Sequence, residues 1–411
     1  MYLMWLKSLK KDKMLTTDIC ILGAGPAGAT TALYLDKMGI SSVLIDKATF
    51  PRHKTCGEAM RVNVHFVLKD LNPDYLEEIE QEKIVLRSQK VRAIATNGKD
   101  LTVNLGRAFC YMGKRYDFDN YLISKVKSKS NIQFIENQSI HKIIKNENGY
   151  LVSNKLNNFQ VQTKLIVFAN GSNSTLHTQL NHPLKSTDKQ ILGVRAYLKS
   201  VHFPDSTTHI YFFEELHGGY LWVFPLPDGE ANVGLAMKSD KIQAHGINIR
   251  ETFKTILKHD RLKPFLKDAT INGGIGGATV NLPTMGQSLS GEGYLLAGDI
   301  GLAINPITGL GVGHAMMMGR YAAKQAERCL SANDFSATIM KNYDTEIYKM
   351  IGDEVKGGLW LTNLLKKTWL VNGMIRFFGS NKRFRKLFEK PELSHNLNNP
   401  KYLLKELLKP S

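Results

Sequence analysis

Apolar positions along this 411-residue chain change their period twice, and the changes mark its parts. Asp18-Ile19-Cys20-Ile21-Leu22 and Ser42-Val43-Leu44-Ile45 are unbroken apolar runs, the pattern of strands buried on both faces of a parallel sheet. Ala29 to Leu35, between them, has the composition of a helix. Farther on, Asn97-Gly98 predicts a hairpin turn, and Asn120 to Lys127 a helix following Arg115-Tyr116-Asp117-Phe118-Asp119. Short strands from Ile132 to Val167, broken by a polar turn at Asn146-Glu147-Asn148-Gly149, lead into Leu165-Ile166-Val167-Phe168, which returns to the first sheet. From Ile191 to about Val280 the strands lengthen and become aromatic. In Gly218 to Pro225, strict alternation puts Tyr220, Trp222 and Phe224 on one face and Leu221 and Val223 on the other. Gly293 to Ala297 again reads as a buried strand, and His314 to Ala323 as a helix.

The turns between these elements carry the chemistry. Gly23-Ala24-Gly25-Pro26-Ala27-Gly28 joins the first strand to its helix: Gly23 permits the turn, Gly25 lets backbone approach a pyrophosphate, and Gly28 lets helix and strand pack closely. Asp46, at the end of the second strand and 18 positions after Gly28, is placed to accept hydrogen bonds from an adenosine ribose. Lys47, beside it, and Arg52, in the loop that follows, are assigned to the same site, as is Gly171 at the end of the returning strand. This half alone does not separate NAD from FAD. Gly298-Asp299 ends the late strand, and Pro306, Gly309 and Gly311 open the late helix, so Asp299 can bind ribityl hydroxyls while helix N–H groups face a flavin pyrimidine. The two elements together read as one FAD site.

Composition and charge narrow the class. At 43% hydrophobic the chain can bury a large core. Cys20, Cys56, Cys110 and Cys329 have neither CxxC spacing nor the density of a disulfide framework, which predicts free thiols and no metal site; His53, His65, His209, His217 and His314 add no ligand spacing. The formal net charge is +17, and Lys356 to Ser411 holds twelve basic residues against three acidic ones. This tail interleaves them with Trp360, Trp369, Phe384, Leu387 and Phe388, the pattern either of a packed helical cap or of a basic amphipathic helix at an anionic membrane surface. No nucleic-acid module accompanies the charge. No run is long enough to span a bilayer, and Met1 to Met14 places its apolar residues before its lysines, the reverse of a secretory signal. The expected location is cytoplasmic, with peripheral contact at the inner face of the membrane as an option; Met1 and Met14 are both candidate starts.

Tyr220-Leu221-Trp222-Val223-Phe224-Pro225 matches the YxWxFP signature of the geranylgeranyl reductase family of flavoproteins. Lys54-Thr55-Cys56-Gly57 resembles that family's Cys-Gly loop beside the isoalloxazine, and Arg115 with Asp119 its Arg-x-x-Phe-Asp element. The resemblance runs from about Thr17 to Arg328, with Asn170 a departure beside Gly171. It implies the para-hydroxybenzoate hydroxylase-like fold, FAD, and reduction of carbon–carbon double bonds in a polyprenyl lipid or quinone. Cys56 is then a proton donor or flavin-side contact, and Tyr220, Trp222 and Phe224 a wall along the substrate. With no nicotinamide domain apparent, electrons come from transiently bound NAD(P)H, a ferredoxin or another flavoprotein.

The expected architecture is α/β: a Rossmann-type FAD-binding domain interleaved with an antiparallel-sheet substrate domain, plus C-terminal helices. Residues 1–16 form an extension, 17–190 the FAD-binding domain with inserted strands, 191–285 the substrate sheet, 286–330 the distal flavin segment and 331–411 the basic helical region. Other functions fit this frame. A monooxygenase or halogenase uses the same fold, although Tyr220 and Phe224 stand where the halogenase segment Trp-x-Trp-x-Ile-Pro has Trp and Ile. A quinone-linked electron carrier suits the basic tail, and a non-catalytic prenyl-binding protein would have no need of Asp46 or Asp299.

Overall fold

The computed structural model describes residues 13–106, 110–182, 190–301, 303–306, 308–364, 372–373 and 375–377. In chain order the elements that build the site are β1 (Lys13–Leu22), α1 (Pro26–Lys37), β2 (Ser42–Ile45), β3 (Ala59–Arg61), β4 (Leu86–Ser88), β5 (Lys90–Ile94), β6 (Asp100–Asn104), β7 (Cys110–Met112) and α2 (Arg115–Lys127). Then come β8 (Ile132–Ile135), β9 (Lys142–Asn146), β10 (Gly149–Ser153), β11 (Phe159–Phe168), β12 (Gln190–Lys199), β13 (Thr208–Tyr211), β14 (Tyr220–Pro225) and β15 (Ala231–Lys238). The chain closes with β16 (Thr270–Asn281), β17 (Ser290–Gly291), β18 (Tyr294–Leu296), α3 (Val312–Ala332) and α4 (Ala337–Leu364).

The first sheet runs β17-β18-β11-β1-β2-β8, with β10 and β9 added beyond β11. Its central strands are parallel, as their two-sided burial requires: β1 pairs with β2 and β11, and β11 with β18. One face is covered by α1, α2 and α3, whose apolar sides join Ile19, Ile21, Leu44 and Leu165 in the main core. The second sheet is β16-β12-β15-β14-β13-β5-β6, antiparallel except where β13 meets β5. Leu221 and Val223 enter its own core with Val194, Val233 and Phe253, while Trp222 and Phe224 belong to a separate cluster on the other face with Ala59, Met112 and Ala236. The alternation along β14 thus sorts its side chains between two cores.

Several elements differ from the sequence expectation. β1 begins at Lys13, because residues 13–17 already pair with Phe159–Thr163, so the strand takes in residues assigned to the extension. α2 begins at Arg115 and not Asn120: Lys114 is extended, and Arg115 and Asp119 form an ion pair one turn apart inside the helix. α3 continues to Ala332, well past Ala323. The Asn97-Gly98 hairpin forms, and its strands join the second sheet. Of the tail, Trp369, Phe384, Leu387 and Phe388 lie outside the described residues. Ile375 packs with Ala95 and Leu101, and Asn372 bonds Thr96, so the chain after α4 reaches the β5–β6 hairpin.

Candidate functional site

The turn from β1 into α1 leaves no room for a side chain at Gly23 or Gly28. Gly23 has φ +102°, and a Cβ there would lie 2.5 Å from the Ala169 carbonyl; a Cβ on Gly28 would lie 1.8 Å from that of Gly23. Asp46 is locked beside this turn, accepting from Ala24 N at 2.7 Å on Oδ2 and from Ala48 N at 2.8 Å on Oδ1. Each oxygen keeps acceptor capacity for a ligand hydroxyl. Gly25 caps α1 without a side-chain bond, and Pro26 and Ala27 form its first turn, so the helix's first N–H groups have no capping side chain. Arg52 comes to the same place. Its Nη2 is the sole neighbour of a Cβ built on Gly25, at 3.6 Å, and its Nη1 lies 3.2 Å from Asp119 Oδ2 without the alignment of a hydrogen bond. Lys47 is exposed at the surface, and Gly171 has φ +83° next to Asn170, whose buried Oδ1 has no partner.

The late element abuts the early one. A Cβ on Gly298 would meet Ala27 Cβ at 3.2 Å, and one on Gly311 would lie 3.4 Å from Asp299 Oδ1, so Asp299 faces the N-terminus of α3. That helix also lacks a side-chain cap. Pro306 is buried, and Gly309 turns with φ +69° close to the Tyr220 hydroxyl, which donates to Thr308 O at 3.1 Å. Glu354 of α4 holds this segment from behind by accepting from Asn305 Nδ2 and pairing with Arg61 and His314. Burial opposes its charge, but these partners outweigh burial and bring its carboxyl down to about 2.

Arg115 and Asp119 tie the Cys56 loop to both halves, since Asp119 pairs with Arg52 and Arg115 lies within electrostatic reach of Cys56 and Asp299. Arg115 binds Asp119 through two hydrogen bonds of 2.6 and 2.8 Å. Burial disfavours the Arg115 charge, yet Asp119 more than restores it, and the guanidinium lies within electrostatic reach of both Cys56 and Asp299. Burial pushes the Cys56 thiol up, with Arg115 pulling the other way. The Trp222 indole is laid over Gly234, where a Cβ would come within 2.3 Å of the ring, and Gly57 covers it from the loop side, its Cβ position 3.6 Å from Trp222 and 3.8 Å from Phe224. The aromatic face of β14 therefore meets the Cys56–Gly57 loop directly. Its polar tips are already engaged: Trp222 Nε1 donates to Asn232 Oδ1 at 2.8 Å, as Tyr220 does to Thr308.

Sequence reasoning did not find Glu58, Asn232, Tyr197, Arg195 or Glu354. Asn232 stands in the otherwise apolar run of β15, a signal that was present in the sequence. It donates to Cys56 O and to Glu58 Oε2, and Glu58 also accepts from Arg115 N and Tyr197 Oη. Among the described residues, no three His, Cys, Asp or Glu side chains come together as a metal site. The groups present fit FAD: as donors, two helix N-termini without side-chain caps and a guanidinium with an unaligned N–H; as acceptors, two carboxylates at strand ends.

The sequence profile of the FAD binding domain family matches residues 16–325. Digeranylgeranylglycerophospholipid reductase of Thermoplasma volcanium is 25% identical over 341 residues, covering 80% of this chain and 83% of the relative. The enzyme of the same name from Methanocaldococcus jannaschii is 28% identical over 336 residues, covering 80% and 81%. Among solved structures, a geranylgeranyl bacteriochlorophyll reductase-like protein from Thermoplasma acidophilum superposes with a TM-score of 0.81 over 96% of this chain and all of its own (100%), at 20% identity. The flavin-dependent brominase Bmp2 gives a TM-score of 0.70 over 93% of this chain and 100% of its own, also at 20% identity.

Proposed function

Because this chain belongs to the FAD binding domain family and its cofactor is FAD, we propose that it is an oxidoreductase that saturates carbon–carbon double bonds in the prenyl chains of a lipid. The observation that carries this reading is the contact of the β14 aromatic face with the Cys56–Gly57 loop, which borders both halves of the FAD site. The similarity to digeranylgeranylglycerophospholipid reductases across four-fifths of the chain supports the substrate class.

Bound FAD supplies two electrons, delivered to an alkene as hydride. The chain's own residues hold the parts in place. Asp46 takes the adenosine ribose, the α1 N-terminus and Arg52 the pyrophosphate, and Asp299 and the α3 N-terminus the ribityl chain and pyrimidine. Tyr220, Trp222 and Phe224 give an apolar substrate a dry surface without a free hydrogen-bonding tip, which suits an isolated alkene with no carbonyl to polarise. Cys56, which lies within electrostatic reach of Arg115, would border the flavin when it is bound. When holoenzyme, a reductant and a digeranylgeranyl phospholipid are incubated, lipid mass spectrometry should show products heavier by two hydrogens per bond. Cys56→Ser should retain FAD and slow that conversion. An unaltered lipid spectrum with reduced, flavin-loaded protein removes the reading; a variant as fast as wild type leaves Cys56 a packing residue.

The immediate electron donor belongs to the classes named above. We also propose that the basic C-terminal region holds the substrate entrance at an anionic membrane surface. Trp360 and Phe377 are exposed on the last described residues, and no helix among the described residues is long and apolar enough to cross a membrane. Deleting Lys382 to Ser411 should weaken sedimentation with anionic liposomes and leave turnover of detergent-dispersed lipid intact. Equal sedimentation of the two proteins makes the tail a structural cap.

A further inference from the structure

We propose that Tyr197 is the group that hands a proton to the substrate, and that Glu58 behind it stores the proton it passes on; the assignment rests on the alkene-reductase reading. Saturating a double bond takes a hydride and a proton, and in the cluster around the aromatic wall Tyr197 is the hydroxyl that is backed by a carboxyl group.

Tyr197 is half-buried on the same face of the second sheet as the aromatic wall. Its strand register runs through Asn232 to Phe224, and its ring packs against the Trp222–Phe224 cluster. It differs from its neighbours in what lies behind its hydroxyl. Tyr220 and Trp222 bond a backbone carbonyl and an amide, whereas Tyr197 bonds a carboxyl group. Glu58 is 0% exposed, in a left-handed conformation with φ +65°, directly after the Cys56–Gly57 loop. Its remaining contacts, Arg115 N and Asn232 Nδ2, are fixed donors, so a protonated carboxyl turns its O–H to Tyr197 Oη; the bond that Tyr197 donates to the carboxylate then reverses and frees the phenol O–H for the substrate.

Arg195 completes the arrangement. It is 7% exposed, its guanidinium lies 3.9 Å from the Tyr197 ring centroid, and its Nε has no hydrogen-bond partner. A buried guanidinium N–H without a partner is costly, and a negative charge that develops nearby offsets part of that cost. The charged and titratable groups facing Glu58 are Arg115, Arg195, Tyr197 and Cys56. Burial raises the Glu58 carboxyl, against the hydrogen bonds from Tyr197, Arg115 and Asn232, and burial followed by Glu58 keeps the Tyr197 phenol protonated.

In the transfer, the alkene π pair would take the Tyr197 proton at one carbon as the Oη–H bond breaks and leaves its pair on oxygen; FAD, when bound and reduced, would supply the hydride for the neighbouring carbon. Tyr197 Oη recovers a proton from the Glu58 carboxyl. The negative charge then rests on Glu58 in the field of Arg195, until solvent returns the proton after product leaves. Glu58 touches no reacting atom and acts through Tyr197.

Infrared spectra of the FAD-free protein across a pH titration test the store. A protonated-carboxyl band should persist above the ordinary glutamate range, vanish in Glu58→Gln and shift in Tyr197→Phe. With loaded enzyme, Tyr197→Phe should lower prenyl-lipid turnover by about 10²-fold, the lower end of general-acid contributions, with FAD affinity and KM kept. Tyr197→Phe with wild-type turnover overturns the proposal, as does a spectrum with no band lost in Glu58→Gln. If wild type itself reduces no prenyl lipid, the functional reading fails, and the infrared result alone decides whether Glu58 is a proton store.

Discussion

Gly25→Val should give a folded protein that no longer holds FAD. The Gly25 backbone, at φ −71° and ψ −175°, is extended and open to any residue, and the sole neighbour of an added Cβ is Arg52 Nη2 at 3.6 Å. The protein therefore tolerates the side chain, at a cost of about 1 kcal/mol at most for an unfavourable N-cap. The isopropyl group would instead occupy the space in front of the α1 N–H groups and Arg52, where the pyrophosphate must approach. Flavin absorbance after purification and the melting temperature of the FAD-free forms separate the two effects. A yellow variant would contradict the placement of the dinucleotide. Gly28 offers no such test, because a Cβ 1.8 Å from a backbone oxygen disrupts the turn itself.

Trp222→Ala should cost about 3–5 kcal/mol of stability and nearly all prenyl-lipid turnover, while FAD affinity changes little. The indole fills the gap between Gly234 and the Cys56–Gly57 loop, and its N–H holds Asn232, which in turn holds Cys56 O and Glu58. Its removal leaves a cavity and frees an amide at the wall. The nucleotide contacts proposed for Asp46, Arg52 and the α1 N-terminus involve none of these atoms. Thermal melting and FAD titration on the same variant are the measurements. Flavin loss without a fall in melting temperature would place the indole on the cofactor side.

What the chain disclosed in advance was whatever one segment can encode. The Gly23–Gly28 turn, Asp46 at a strand end and the Tyr220–Phe224 alternation each reflect constraints between residues a few positions apart. The start of α2 was misplaced because Arg115 and Asp119 read as a motif and not as a helical i, i+4 pair. The Glu58 network was hidden for another reason: its members come from the Cys56 loop, α2, β12 and β15, and only the tertiary fold brings them together. A carboxylate after Cys-Gly looks like surface until Tyr197 and Asn232 are seen to surround it. Glu354 is equally silent, since its partners Arg61, Asn305 and His314 lie on three other segments.

The order β18-β11-β1 has a consequence for how the protein is made. β18 leaves the ribosome about 270 residues after β1, yet the two lie two places apart in the parallel part of one sheet. Until β18 is synthesised, the side of β11 that pairs with it through Ile166, Val167 and Phe168 is an open apolar edge, the kind of template on which nascent chains aggregate. Closing so long a loop is entropically slow. If FAD bridges Asp46 and Asp299 as proposed, it would act as a staple during that closure, so flavin supply during expression should govern how much of this protein is recovered in the supernatant.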